Sequence, residues 1–332
     1  MKKRISLAIW GLVLVAVIAI TIFFGKDMLS KKPEVSTPAP QPTQSVTEPT
    51  EPLPPPIPAW ATVLPEREIV APHYFVYNTK TDSFVVHTDT LTTRIFPASI
   101  TKLMSSLVAL DYLKPQDMIT VGPEVRAIDP DSSVAGLQQG DTLSFAHMLE
   151  AMLLPSGNDA ATVVAVQVGR TILQNPNASI DEAKAAFVEK MNEKAENLGL
   201  SGSHFVTVDG IHDPNHYLTI RDLARLGELA MQNPLIRECV ARAEGHNPRY
   251  DEEDENSPRQ WQNTNLLLHP ESPYYCPDAI GLKTGYTGAA GNCLLSAFRH
   301  GNTVYIVGVF GCSSSADRFA DSVAVFTENV FF

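Results

Sequence analysis

The 332-residue sequence predicts a mixed α/β fold of the α+β kind, in which strands from both ends of a globular body form one sheet around a mostly helical middle. Three observations predict it. Two β-rich runs flank a polar turn in 73–88, apolar residues recur at helical spacing in 100–113 and 144–168, and strand-like runs return at 280–298 and 303–311. Strands so distant in sequence must enclose the helices between them.

Composition sets outer limits. At 44% hydrophobic and 19% charged residues the chain can bury a sizeable core. Its formal net charge of -12 and pI near 5.2 argue against nucleic acid as a partner, since a phosphate binder needs a basic face.

The N-terminus reads as a membrane anchor. Residues 1–4, with Lys2, Lys3 and Arg4, form a short cytoplasmic tail, and the uncharged run 5–24 holds 20 residues, enough to span a bilayer as a helix. A cleaved signal peptide is the alternative, but the run ends in Phe23-Phe24-Gly25-Lys26 without the small residues of a cleavage site. Residues 25–59 form a proline-rich linker; its 33–58 stretch holds 10 of the 25 prolines and stays extended. The expectation is a single-pass protein with its body, 60–332, on the extracytoplasmic side, or secreted if the leader is cleaved.

In the body, HYFVYNTKTDSFVVHT (73–88) is a hairpin turning at Thr79-Lys80-Thr81-Asp82. In FPASITKLM (96–104), Pro97 places a helix start close to Ser99, and Leu103, Met104, Leu107, Val108 and Leu110 follow at helical spacing. Residues three apart share a helix face, so Ser99 Oγ can meet Lys102 Nζ. A neutral lysine can take the serine proton, provided its pKa falls to roughly 7 or 8, a cost of about 4 kcal/mol that burial and a neighbouring cation can supply. The first-turn amide of Ser99 is a ready oxyanion donor. Roughly one S-x-x-K is expected by chance in a chain of this length, so the pair alone reads first as a capping serine and a solvated lysine.

Two further motifs alter that balance. Apolar helices in 144–168 break at Pro155-Ser156-Gly157-Asn158, which by itself is an ordinary helix corner. IGLKTGYTGAAGNCLLSAF (280–298) sets Lys283-Thr284-Gly285 on a strand before a glycine-rich turn and a second strand.

S-x-x-K, then S-x-N, then K-T-G, in that order, is the motif set of penicillin-binding proteins and class A β-lactamases. The sequence resembles the low-molecular-mass penicillin-binding proteins, specifically the D-alanyl-D-alanine carboxypeptidases. NLGLSGSHFVTVDGIHDPNHYLTIRDLARL (197–226), NTNLLL (263–268) and KTGYTGAAG (283–291) extend the likeness over about 65–332. The resemblance implies a β-lactamase/transpeptidase-like fold: an antiparallel sheet flanked by helices, a mostly helical subdomain, and an active site in the cleft between them.

It also implies roles. Ser99 attacks the carbonyl between the last two D-alanines of a peptidoglycan stem peptide, with Lys102 as base. Ser156 relays a proton towards the leaving amine, and Asn158 binds Lys102 and the substrate backbone. Lys283 adds positive charge that lowers the Lys102 pKa and attracts the substrate carboxylate. Thr284 binds that carboxylate, the strand carrying Gly285 pairs with the peptide, and the amides of Ser99 and Tyr286 form the oxyanion hole. β-Lactams are covalent inhibitors of such a site, and no cofactor or metal is implied. Where some relatives carry an arginine within the N-x-N stretch, this chain has Thr264, and Arg318 is the candidate substitute, with a packing arginine as the other reading. A β-lactamase, a D,D-endopeptidase and a non-catalytic β-lactam or peptidoglycan sensor remain as alternatives; Glu189, Glu193 and Glu196 read as the exposed face of a charged helix rather than a deacylating base.

The remaining features carry less. His212 and His216 have ligand-like spacing, but Pro214 prevents a helix through them, so they read as loop-fixing residues. The acidic run 251–255 reads as a solvated loop. Cys239, Cys276, Cys293 and Cys312 allow three pairings. A turn at His300-Gly301-Asn302 sets Cys293 near Val309 and Cys312 on the opposite face; free buried thiols are the first expectation, with Cys239 to Cys276 as the bridge if one forms.

Overall fold

The computed structural model describes residues 57–61, 67–248 and 260–332, all within one compact unit, 55–332. The segments in chain order are β1 (His73–Asn78), β2 (Ser83–His87), β3 (Arg94–Ile95), α1 (Thr101–Ala109), β4 (Met118–Thr120), β5 (Thr142–Ser144), α2 (Phe145–Leu153), α3 (Asn158–Ile172) and α4 (Ile180–Asn197). They continue with β6 (Leu218–Thr219), α5 (Ile220–Gln232), α6 (Pro234–Val240), β7 (Glu244–His246), β8 (Gln260–Gln262), β9 (Ala279–Thr287), β10 (Gly291–His300), β11 (Thr303–Cys312) and α7 (Ser315–Val330).

The main sheet is antiparallel with order β2-β1-β11-β10-β9. Strands from the two ends of the body thus meet, with β1 against β11 from Tyr74 opposite Val309 to Asn78 opposite Tyr305. Alternation along the strands divides the core in two. Phe75, Leu295, Ile306 and Phe310 face the helical middle, while Val76, Leu294, Phe298, Val307 and Val309 pack under α7 with Phe319 and Phe326. Arg67 holds α7 by donating to Asp317 and Asp321, both at 2.7 Å. Short paired strands brace the helical part, β3 with β6, β4 with β5 and β7 with β8.

Three sequence expectations need correction or placing. First, no helix among the described residues is long and apolar enough to cross a membrane. The longest, α4, carries Asp181, Glu182, Lys184, Glu189, Lys190, Glu193, Lys194 and Glu196 and buries only one stripe. The run 5–24 lies outside the described residues, as does most of the linker. The transmembrane anchor, the membrane as a partner and the single-pass localisation are therefore withdrawn. Second, all four cysteines are free and buried as first expected, so the conditional Cys239–Cys276 bridge does not form, but the expected strand register needs correction. The β10–β11 turn is the pair Gly301-Asn302, with His300 opposite Thr303, so Leu294 faces Val309 and a register shift at Cys293 brings Asn292 opposite Cys312. Third, the acidic run 251–255 lies outside the described residues.

Candidate active site

The site begins at the short 3-10 turn Ala98–Ile100 that leads into α1. Every residue of α1 is buried, so its first turn is fixed by packing, and Ser99 sits half-buried at its mouth. Ala98 before it has φ +47, a left-handed conformation that alanine adopts only when its surroundings demand it. The demand is visible from two sides. Gly210, at φ +90, presses on this turn so closely that a Cβ there would lie 1.9 Å from the Ala98 carbonyl oxygen. From the other side a Cβ on Gly285 would lie 2.8 Å from the Pro97 oxygen and 3.3 Å from the Ser99 nitrogen. The K-T-G strand therefore runs directly against the serine turn, and β9 is an edge strand of the sheet.

Lys102 has no exposed surface. Its Nζ donates to Ser99 Oγ at 2.8 Å, to Asn158 Oδ1 at 2.7 Å and to the Asp209 carbonyl at 3.0 Å. Burial lowers its pKa to about 8, against the opposing pull of Asp209 and Asp159. Lys283 is also buried, donating to the Thr284 carbonyl at 3.1 Å. Burial, then the charges of Lys102 and Arg318, push it well below the ordinary lysine range. Burial is the leading cause of the shift at both lysines, and at Lys283 the charge of Lys102 adds to it.

Asn158 opens α3 two residues after Ser156, which has a φ of +66. Its amide is fixed at both ends, accepting from Lys102 and donating through Nδ2 to Ser132 Oγ at 2.8 Å. Ser156 is buried, and its carbonyl accepts Ser133 Oγ at 2.7 Å. Thr284 Oγ1 lies 2.5 Å from Thr264 Oγ1. Arg318 reaches from α7 to donate through one NH group to the Gly285 carbonyl at 3.2 Å, leaving its buried Nε without a partner. Tyr286 is 64% exposed at the end of the strand. Ser99, Lys102, Asn158 and Gly285 are thus in one place, with Ser156, Thr284, Lys283 and Arg318 in adjoining backbone or hydrogen-bond contact with them. Glu189, Glu193 and Glu196 lie exposed on α4.

Several supports escaped the sequence reading. The Asp159 carboxylate accepts the amides of Ala135, Gly136 and Leu137 at 2.9 to 3.0 Å, and Trp261 Nε1 donates to the Ala135 carbonyl at 2.9 Å, so the segment carrying Ser132 and Ser133 is held from behind. His216 accepts the Val206 and Thr207 amides at Nδ1, so its Nε2–H donates to Thr101 Oγ1 at 2.8 Å. That bond pins the loop bearing Asp209 to the residue next to Lys102. An acidic residue beside a motif asparagine was the only sequence signal for the Asp159 contacts, whereas His216 fixes its loop as the sequence reading expected.

A family model described as D-alanyl-D-alanine carboxypeptidase matches residues 60–314. The chain belongs to this family. D-alanyl-D-alanine carboxypeptidase DacF of Bacillus subtilis (strain 168) is 31% identical over 232 residues, 68% of this chain and 54% of the relative. A D-alanyl-D-alanine carboxypeptidase of Streptomyces sp. (strain K15) is 29% identical over 272 residues, 80% of this chain and 89% of the relative. The chain spans about half the length of several curated relatives it matches, DacF and the Escherichia coli DacC among them. Among solved structures, the Streptomyces K15 DD-transpeptidase superposes with a TM-score of 0.69 at 28% identity, covering 80% of this chain and 99% of that one. The antiparallel sheet, its flanking helices and the helical subdomain are the fold of that enzyme.

Proposed function

We propose that the protein is a serine-type D-alanyl-D-alanine carboxypeptidase acting on peptidoglycan stem peptides that end in D-alanyl-D-alanine. The observation that carries this reading is the Lys102 amine, its pKa lowered to about 8 and its Nζ 2.8 Å from Ser99 Oγ. A base with a pKa near the working pH is a suitable proton acceptor for a hydroxyl nucleophile.

The chemistry follows from the positions. The stem peptide lies along the free edge of β9 as an added strand, its C-terminal carboxylate towards Thr284, Lys283 and Arg318. That anion favours the protonated form of Lys283, countering the burial that depresses it. Ser99 Oγ passes its proton to Lys102 and bonds to the carbonyl carbon of the penultimate D-alanine. The amides of Ser99 and Tyr286 hold the developing oxyanion. The C–N bond breaks, the leaving amine takes a proton through Ser156, and D-alanine departs. Water then adds to the Ser99 ester, the ester C–O bond breaks, and the serine regains its proton while the shortened peptide leaves. An amine in place of that water would give transpeptidation, the activity named for the Streptomyces K15 structure. β-Lactams acylate the same oxygen.

The test is release of free D-alanine from a D-alanyl-D-alanine-terminated peptide, with labelling by a fluorescent penicillin, for wild type beside Ser99→Ala. Both signals should vanish in the variant. Labelling without D-alanine release points to a sensor or an endopeptidase, rapid β-lactam turnover to a β-lactamase, and absence of both signals in the wild type rejects the Ser99 assignment.

A further inference from the structure

Two threonine hydroxyls meet at the end of the cleft where the proposed mechanism puts the substrate carboxylate. Thr264 Oγ1 and Thr284 Oγ1 lie 2.5 Å apart, and Lys283 Nζ approaches the same Thr284 oxygen at 3.4 Å. Thr264 is fixed independently of the K-T-G strand. Its amide donates to the Leu154 carbonyl at 3.0 Å, and Asn263 before it donates through Nδ2 to the Val240 and Arg242 carbonyls at 3.3 and 2.8 Å. Thr284 itself is buried while Thr264 is half-exposed at the cleft.

A hydroxyl carries one proton and two acceptor positions. If Thr284 donates to Thr264, its only proton is spent inside the protein and it faces a ligand with lone pairs, which repel an anion. If Thr264 donates instead, Thr284 accepts from behind and its proton is free for the cleft. A donor that is itself accepting a hydrogen bond is also polarised and donates more strongly.

We propose that Thr264 is a positioning residue for carboxylate recognition: its hydroxyl donates to Thr284 Oγ1 and turns the Thr284 proton towards the C-terminal carboxylate of the peptide. The proposal rests on the carboxypeptidase reading. It names the part of the substrate concerned, so it predicts selectivity between acyl donors rather than a general loss. The arrangement does nothing for a donor whose leaving group has no carboxylate, because no anion then needs the Thr284 proton.

The experiment compares two donors with the same acyl part on the full chain: a peptide ending in D-alanyl-D-alanine, and the matching acyl-D-alanine ethyl thioester, whose leaving group has no carboxylate. Both pass through the same Ser99 ester. Thr264→Val should lower kcat/KM on the peptide by about tenfold, the scale of one hydrogen bond to a charged group. It should leave the thioester within about twofold, and Thr264→Ser should restore the peptide rate to within about threefold of wild type. Thioester turnover also certifies that the variant is folded; if Thr264→Val is not, Thr264→Ala is judged by the same criteria. Equal loss on both donors, no loss on the peptide, or failure of serine to restore it overturns the proposal. A wild type inert towards both donors rejects the underlying enzymatic reading instead, a result distinct from any of these.

Discussion

Acylation of Ser99 should follow the ionisation of Lys102. With its pKa at about 8, about one Lys102 in ten is neutral at pH 7 and about nine in ten at pH 9. If the neutral amine is the base, the second-order rate constant for acylation rises roughly tenfold between those values and levels off above pH 9. A lysine left at its ordinary value would still be climbing there. Asp209 supplies an independent control, because its carboxylate raises the Lys102 pKa, while its carbonyl, 3.0 Å from Nζ, is untouched by a side-chain change. Asp209→Asn keeps a side-chain acceptor for the Ile211 amide, now bonded to Oδ1 at 3.2 Å. The midpoint of the profile should move to lower pH in this variant. The assay is fluorescent-penicillin labelling from pH 5.5 to 9.5, with Ser99→Ala as blank. A flat wild-type profile, or a midpoint that rises in Asp209→Asn, refutes the reasoning.

The same shift has a thermodynamic consequence whose sign is fixed. The folded state holds Lys102 at about 8 where an unfolded lysine has 10.5, so the unfolded chain binds the proton more tightly than the native protein. Folding is therefore opposed by about 3 kcal/mol at neutral pH, and that opposition is relieved as pH rises from 8 towards 10.5.

Three further outcomes are expected. His216 is held by burial at about 4, against 6.5 when unfolded; its contribution of about 3 kcal/mol is complete above pH 6.5 and lost as pH falls towards 4, so His216→Gln should flatten the acid limb of stability in urea titrations at successive pH values. Gly285→Ala forces a methyl to 2.8 Å from the Pro97 oxygen and 3.0 Å from the Ala98 Cβ; unfolding should show about 1–3 kcal/mol lost, with acylation slowed by at least tenfold because the serine turn must move, and a wild-type acylation rate would count against the close approach. Asp159→Asn removes acceptor capacity from the Ala135, Gly136 and Leu137 amides and should cost about 2–4 kcal/mol, measured by the urea midpoint at constant slope.

The parts of this molecule that could be read from sequence are those whose information is contiguous. Ser99 and Lys102 share one helical turn, Ser156 and Asn158 share one corner, and Lys283 to Tyr286 share one strand, so local spacing already places each group relative to its neighbours. The β1–β2 turn at 79–82 and the helix break at 155–157 were legible for the same reason. What local spacing cannot supply is the long-range contact. The Asp209 carbonyl on Lys102, the Ser132 hydroxyl on Asn158 and the Thr264 hydroxyl on Thr284 join residues 107, 26 and 20 positions apart. The cysteine register failed through one turn residue and one bulge, because a single-residue slip in a strand exchanges its faces. Burial, expected from the sequence together with a neighbouring cation, is what accounts for the Lys102 shift, and its extent depends on the whole fold.

An edge strand is ordinarily a hazard, for its unpaired amides and carbonyls invite other strands. Here β9 ends the main sheet, yet it is not left open along its length. The serine turn lies against it at Gly285, close enough that no side chain fits between them, and Arg318 takes the Gly285 carbonyl. The edge is thus guarded by the groups that the proposed chemistry requires. On the proposed function, a chain that pairs with β9 there would be delivered to Ser99 with its C-terminus beside Thr284 and Lys283. On this view, the glycine of K-T-G serves the approach of two backbones more than any local freedom of its own, and the positive φ of Ala98 is the conformational cost of bringing the serine turn to that edge.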